Sequence, residues 1–91
     1  MGTIYIHEDR FEAIVDTRGY APNEIKCLVN EGYLEITATS GQNQLHNGFP
    51  TSVEKTLSRK FKMVRPVVPE RSVCCLSNDG MLLIAAPWRY P

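Results

Sequence analysis

The sequence predicts an all-β fold, an antiparallel β-sandwich. Short apolar segments rich in β-branched residues recur along the chain, and turn signals separate them at a spacing of roughly 8–12 residues. Only one segment carries a helical pattern, and it fits a strand as well. The chain has 91 residues, the length of one small domain, and it contains neither an internal repeat nor a low-complexity segment.

The first strand is predicted at residues 11–17, which are apolar and β-branched. A turn follows at 18–23, where Gly19 allows a positive φ and Pro22 has no N–H for a sheet ladder. The first nine residues form a short N-terminal segment that could add an edge strand.

A β-hairpin follows the first turn. Its strands are predicted at residues 24–29 and 33–39, around the glycine-bearing turn 30–32. Residues 40–52 are predicted to be a loop, because glycine, proline and amide side chains crowd this stretch. It contains no Asp, Glu, Lys or Arg.

Residues 51–64 fit two kinds of secondary structure. Val53, Leu57, Phe61 and Val64 recur at helical spacing, whereas the regular alternation with polar residues fits a strand. Periodicity alone leaves both open. The lack of strong helix caps and the β-rich surroundings favour the strand.

The last third of the chain predicts two more strands. An extended connector spans 65–70, since each proline restricts the residue before it. Strands are predicted at 73–77 and 81–86, with Gly80 at the turn position that needs conformational freedom. Residues 88–91 are predicted to be a truncated C-terminal tail.

Charge and composition exclude several classes of function. Ten Lys and Arg balance ten Asp and Glu, and a nucleic-acid binder would need a basic surplus. No apolar run reaches about 18 residues, and the N-terminus lacks the features of a secretory signal, so no membrane association is expected. Three cysteines are a poor disulfide framework, which predicts a reducing, cytoplasmic location.

The chain offers little for catalysis or metal binding. His7 and His46 have no second ligand at metal spacing and no nucleophile beside them in a legible arrangement. Cys74 and Cys75 are adjacent on a strand, so they should face opposite sides, one in the core and one on the far face. We therefore expect no enzyme, no cofactor and no metal.

Four stretches, in order, resemble the α-crystallin domain of the small heat shock proteins, the animal branch in particular. Residues 11–26 resemble its opening, Phe…Asp-Val-x-x-Phe-x-Pro-Glu-Glu-Leu-x-Val, and residues 32–36 its x-x-Leu-x-Val hairpin partner. Residues 57–63 are similar to Phe-x-Arg-x-Tyr-x-Leu-Pro. The stretch from Leu76 to Leu82, with Pro87, resembles the closing Leu-Ser-x-Asp-Gly-x-Leu…Pro. The resemblance covers about residues 10–87.

The resemblance implies an immunoglobulin-like sandwich that binds unfolding client proteins without ATP. It implies a long strand that pairs with its copy in a homodimer, with Arg59 as the interface arginine. The expected dimer interface is Val53, Lys55, Leu57, Arg59 and Phe61.

A second expected site is a groove between two strands, which in the family receives an Ile-x-Ile/Val segment from the C-terminal tails of other subunits. The residues expected to line it are Cys27, Val29, Ser72, Cys74 and Leu76.

The chain departs from the family pattern in four places. The loop before the pairing strand is longer and has no acid for Arg59, which leaves Glu54 as a substitute. Val64 stands where the family has proline, and Thr56 where one branch has cysteine. No Ile-x-Ile tail is present in these residues.

Three functions therefore remain open. The leading one is the core of an ATP-independent chaperone. The alternative is an interaction or structural module that docks a folded partner, with Trp88, Arg89 and Tyr90 as an interface anchor. A thiol redox sensor is the third. The strand at 53–64 discriminates the first two functions. An exposed pairing edge favours the chaperone core, and an edge covered within the chain favours the docking module.

Overall fold

The computed structural model describes the backbone of residues 2–46 and 49–91 and the side chains of residues 2–41 and 55–91. These residues form an antiparallel β-sandwich of seven strands, which confirms the predicted fold class. The strands are β1 (Gly2–Ile6), β2 (Arg10–Asp16), β3 (Ile25–Val29), β4 (Tyr33–His46), β5 (Phe49–Lys62), β6 (Val73–Leu76) and β7 (Met81–Pro87).

The strands make two sheets. The larger sheet has the order β1-β2-β7-β6 and the smaller has the order β3-β4-β5, with every neighbouring pair antiparallel. Two short 3₁₀ turns, Pro22–Glu24 and Pro69–Arg71, cross between the sheets. Within the described ranges, no helix has the length and apolarity needed to cross a membrane.

The core lies between the sheets and follows the alternation of the strands. In β2 and β7 every second residue is buried, and β4 shows the same pattern where it faces the other sheet. The buried apolar residues of these three strands are Phe11, Ala13, Val15, Leu34, Ile36, Ala38, Leu82, Ile84 and Ala86.

The predicted loop at residues 40–52 is wrong. Most of this stretch lies in β4 and β5, which pair in continuous register from Tyr33↔Lys62 to His46↔Phe49. Beyond Ala38, β4 pairs with β5 alone, because β3 ends its ladder there. The sequence from Ser40 to Ser52 is mostly polar and contains glycine and proline, so it shows no hydrophobic alternation that would predict these strands. Asn47 and Gly48 lie outside the described residues.

The segment 51–64 is a strand as far as Lys62 and is not a helix. Leu57 and Phe61 lie opposite Ala38 and Leu34 in the β4–β5 ladder and pack against the core. Val53, Leu57 and Phe61 share the odd parity that a strand requires, whereas Val64 lies beyond the end of β5.

The turn before β7 forms around Gly80 as predicted. Gly80 has a φ of 88°, and a Cβ at this position would lie 2.8 Å from the Cγ of Arg18. The buried Thr17 hydroxyl donates to the Gly80 carbonyl oxygen at 2.7 Å. The end of β2 is thereby tied to the start of β7.

Two further sequence-based expectations, one about Trp88 and one about the adjacent cysteines, need correction. Trp88 belongs to the core with 7% of its surface exposed, and its Nε1 donates to the His7 carbonyl oxygen at 3.0 Å. It is therefore not an exposed anchor. Cys74 and Cys75 lie on opposite faces of β6, as predicted, but neither is buried in the core, because β6 is the edge strand of its sheet.

Candidate protein-interaction site

The outer edge of β5 is one candidate surface. β5 has 14 residues, ends the order of the smaller sheet, and pairs only with β4 among the described strands. An unpaired strand edge presents a row of N–H and C=O groups that another chain can bind.

The expected dimer residues share one parity along β5. In the ladder, Lys55, Leu57, Arg59 and Phe61 lie opposite Ser40, Ala38, Ile36 and Leu34, which are all buried. Their side chains therefore start on the inner face of the sheet. Val53 pairs with Gln42 in the backbone ladder, and its side chain lies outside the described part.

Arg59 has no ion-pair partner among the side chains that the structure describes. Its Nη1 donates to the Ser58 carbonyl oxygen at 2.9 Å, and the ion pairs of the described side chains are made by other residues. The Glu54 side chain, the proposed substitute partner, lies outside this part. The guanidinium is thus a cation at an open sheet edge.

Lys55 is engaged within its own chain. Its Nζ donates to the Gly19 carbonyl oxygen at 3.2 Å and lies 5.0 Å from the centre of the Tyr20 ring. Both contacts join β5 to the turn after β2. Lys55 therefore contributes to holding the turn after β2 against β5 within a single chain.

The second candidate surface is the opening between β3 and β6. Each is the edge strand of its own sheet, and each has one neighbour in the described structure. Cys27 and Val29 lie on the inner face of β3 and contact the core. Cys74 and Leu76 lie opposite the buried Ile84 and Leu82, so they start on the inner face of β6.

The structure brings Cys27 and Cys74 together. Their Sγ atoms are 2.9 Å apart, although the residues are 47 positions apart in the chain. Cys27 is half-buried and Cys74 is exposed, and both are free thiols.

The contact between the two sulfur atoms changes their acidity. The S–H of Cys27 stabilises a thiolate at Cys74 and lowers its pKa to about 7, with partial burial acting in the opposite direction. The hydrogen bond to Cys74, and then burial, raise the pKa of the Cys27 thiol well above its ordinary value. Cys74 is therefore the thiol that ionises first.

The other expected groove residues lie around this pair. Val29 and Leu76 are partly exposed, with 36% of Leu76 open to solvent. Ser72 precedes β6 and donates from its Oγ to the Pro69 carbonyl oxygen at 2.6 Å, so it serves the 3₁₀ turn. The structure thus joins the two cysteines directly and leaves Ser72 with a local role.

Sequence reasoning missed two exposed apolar residues beside this opening. Leu28, on the outer face of β3, has 50% of its surface exposed, and Val73 of β6 has 55%. The signal was the run of four apolar residues from Val73 to Leu76. On the edge strand β6 the side chains of both faces are exposed, and the alternation of residue types along the sequence does not reveal this.

The described residues hold no cluster of three or more His, Cys, Asp or Glu that could bind a metal ion. What they present instead are sheet edges and apolar side chains. Backbone groups at an open edge together with apolar pockets are suited to bind an extended peptide as an added strand.

Comparison with known proteins agrees on one fold. The structure superposes on Stress-induced protein 1 from Caenorhabditis elegans with a TM-score of 0.77 and 16% identity, covering 98% of this chain and 88% of that one. It superposes on the rat alpha crystallin domain with a TM-score of 0.76 and 20% identity, covering 100% and 92%. The architecture is that of an α-crystallin β-sandwich.

Sequence comparison also finds similarity to alpha-crystallin chains. The chain is 29% identical over 87 residues to the Drosophila melanogaster protein lethal(2)essential for life and 28% identical over 87 residues to the alpha-crystallin A chain of Psalidodon fasciatus. Each alignment covers 96% of this chain, but 45% and 49% of the relatives, so the chain spans about half the length of the curated relatives it matches. No family model matches the sequence.

The chain therefore has the fold of an α-crystallin domain. Its sequence is similar to alpha-crystallin chains over most of its length, in agreement with the resemblance carried by the four sequence stretches.

Proposed function

We propose that this domain is the core of an ATP-independent chaperone that holds unfolding proteins in the cytoplasm before they aggregate. The observation that carries the proposal is β6, where four consecutive apolar residues, Val73 to Leu76, are exposed on an open sheet edge. An unfolded segment offers unpaired backbone groups and apolar side chains, and both find partners there. No catalytic residue is needed, since binding the unfolded state shifts its equilibrium by mass action.

The same proposal includes a homodimer through β5. Two copies that pair antiparallel along this edge would satisfy the outward backbone groups of both strands. The partly buried Leu57 and Phe61 would continue the core across the seam, with Arg59 beside it. The expected interface is the set given above, Val53, Lys55, Leu57, Arg59 and Phe61.

C-terminal tail peptides of other subunits are the proposed ligands of the groove between β3 and β6. The free edges of both strands, the partly exposed Val29 and Leu76, and the thiols between them support this assignment. An extended peptide would add its backbone to one edge and place alternate side chains in the opening.

A heated client protein tests the chaperone proposal. Light scattering of the client is followed with this domain at equimolar ratio and without nucleotide, and suppressed scattering is expected. The matched variant is Val73→Lys, which places a charge on the exposed outer face of β6, and it should suppress less. Equal suppression by both proteins would contradict the role of β6, and none by either would contradict the proposal that the core suffices.

The alternative, a module that docks a folded partner, has less support. It is favoured if the strand at 53–64 is covered within the chain, and it offered Trp88 as part of an interface anchor. In the described residues β5 has an open edge, and Trp88 is buried.

A further inference from the structure

Two thiols from opposite sheets face each other at the β3–β6 opening. The Sγ atoms of Cys27 and Cys74 are 2.9 Å apart, and a disulfide bond measures about 2.05 Å. The sulfur atoms therefore need to approach by less than about 1 Å to bond. The pair joins two edge strands that no ladder hydrogen bond connects, since β3 and β6 belong to different sheets.

We propose that Cys27 and Cys74 are a redox-modification site, a reversible disulfide that closes the groove between β3 and β6. The existence of the disulfide is independent of what the groove binds. Its effect on peptide binding rests on the proposed function.

Cys74 has the features of the attacking thiol. It is exposed, so an oxidant can reach it, and the S–H of Cys27 favours its thiolate form. Cys27 is half-buried against the core and is held beside Cys74. This arrangement, an accessible thiolate next to a second thiol, is typical of redox-sensitive cysteine pairs.

Hydrogen peroxide is the oxidant we assign to the reaction. The Cys74 thiolate attacks one peroxide oxygen, the O–O bond breaks, and the leaving oxygen takes a proton to become water, which leaves Cys74 as a sulfenic acid. The Cys27 sulfur then attacks the Cys74 sulfur, an S–S bond forms, and the S–O bond breaks. The hydroxyl leaves with the Cys27 proton as a second water. Two thiols lose two electrons, and one peroxide becomes two waters.

A thiol such as glutathione reverses the modification. Its thiolate attacks one sulfur of the disulfide and a second glutathione releases the mixed disulfide, so the two cysteines return to the reduced state while glutathione is oxidised. The site is therefore compatible with a reducing compartment, in which disulfides are transient.

Closing the pair should exclude a peptide from the groove. The two sulfur atoms already contact each other across the β3–β6 opening, so a side chain that enters at this level must push them apart. Reduced thiols can separate, because they are held by a hydrogen bond. Bonded sulfur atoms cannot separate, and the opening between the strands stays fixed.

Cys75 provides the matched control. It is adjacent to Cys74 and equally exposed, but it lies opposite Leu83 in the ladder, on the outer face of β6 and away from Cys27. The Cys75→Ser variant keeps the proposed pair, whereas Cys27→Ser and Cys74→Ser each remove one partner.

The first experiment treats the folded chain with hydrogen peroxide and measures intact mass and the cross-linked peptides by mass spectrometry. Wild type and Cys75→Ser should lose two hydrogen atoms as monomers, with Cys27 linked to Cys74, and regain them with glutathione. Cys27→Ser should give a sulfenic acid or an intermolecular disulfide. A Cys75 link within the chain, or no link in Cys75→Ser, would overturn the site.

The second experiment measures binding of a fluorescent Ile-x-Ile peptide to Cys75→Ser by anisotropy. Oxidation should weaken binding at least tenfold, glutathione should restore it, and Cys27→Ser with Cys75→Ser should show no change on oxidation. Equal binding by reduced and oxidised Cys75→Ser would overturn the closing of the groove. No binding by the reduced protein would overturn the proposed groove function and the gating with it, while the mass measurement would still decide the disulfide.

Discussion

Trp88 connects three separate parts of the chain through one side chain. Its ring meets Phe11 edge-on with centroids 6.4 Å apart, and the Arg65 guanidinium carbon lies 4.6 Å from its ring centre. Its Nε1 is satisfied by the His7 carbonyl oxygen. A buried indole whose N–H has a partner contributes large apolar area without the cost of an unpaired donor.

Replacing Trp88 should destabilise the domain strongly. Trp88→Ala removes a buried ring and leaves a cavity, so we expect a loss of about 3–5 kcal/mol in the free energy of unfolding. Tyr90→Ala is the control, since Tyr90 lies in the same terminal segment with 65% of its surface exposed, and it should change stability by no more than about 0.5 kcal/mol. Urea unfolding followed by circular dichroism measures both. Equal effects would contradict the assignment of Trp88 to the core.

The acidity of Cys74 makes a second prediction for a single residue. The pKa of its thiol is lowered to about 7 by the S–H of Cys27, so its thiolate dominates above pH 7 and disappears below it. In Cys75→Ser, the rate of alkylation of Cys74 by iodoacetamide should therefore rise with pH and reach half its maximum near pH 7.

The control for this prediction removes the Cys27 S–H that stabilises the Cys74 thiolate. In Cys27→Ala with Cys75→Ser, the midpoint for Cys74 should move upward toward the ordinary thiol value of 9.0. A midpoint that is the same in both variants would show that Cys27 does not set the acidity of Cys74. Peptide mapping identifies the alkylated cysteine.

At the scale of elements, the edge strands decide what the domain can bind. β5 offers a 14-residue edge, whereas β3 and β6 offer short edges beside exposed apolar groups. A long edge provides many backbone hydrogen bonds and is suited to a stable pair of identical strands. Short edges with pockets are suited to exchangeable peptides.

The β5 dimer predicts a specific effect of Arg59→Ala. If the guanidinium makes contacts across the seam, its removal should raise the dimer dissociation constant about tenfold, equivalent to about 1.4 kcal/mol. Multi-angle light scattering over a dilution series measures the mass. Leu57 is a poorer position for the test because it packs against the core.

The control for Arg59 is its neighbour. Ser58 is exposed and lies opposite Thr37, on the other face of the strand, so Ser58→Ala should leave the dissociation constant unchanged. A wild-type chain that stays monomeric at every concentration would contradict pairing through β5.

Sequence patterns predicted the strands that bury one face in the core. They failed for the β4–β5 hairpin beyond Ala38. β2 and β7 show strict alternation because one face of each is in the core. Beyond Ala38 the described part of the hairpin pairs only within itself, and its polar, glycine- and proline-containing sequence predicts a loop instead. The contact between Cys27 and Cys74 follows from how the two sheets stack, and no local signal encodes that distance.

At the scale of the whole molecule, the long hairpin sets the shape. The largest extent is 60 Å, against 23 and 20 Å in the other directions. The radius of gyration is 16.0 Å, whereas a compact chain of this length would have about 12 Å. The core therefore occupies a small part of the molecule. The formal net charge of zero leaves no overall repulsion between two copies, which favours association.

A small core makes the whole domain sensitive to a cross-link between its sheets. Cys27 and Cys74 are 47 positions apart, and closing a loop of this size removes unfolded-state entropy worth up to about 4 kcal/mol, less any strain in the native state. In a domain of this size each kcal/mol corresponds to roughly 4–8 °C in the melting temperature. We expect the peroxide-treated Cys75→Ser monomer to melt at least about 10 °C above its reduced form.

The control for this last prediction separates the cross-link from other oxidation. Cys27→Ser with Cys75→Ser retains Cys74 and every methionine but cannot close the pair, so peroxide should not raise its melting temperature. If the cross-linked protein melted at or below the reduced one, the bond would be distorting the sandwich. The two sulfur atoms would then have to be farther apart in solution than the 2.9 Å contact between the sheets implies.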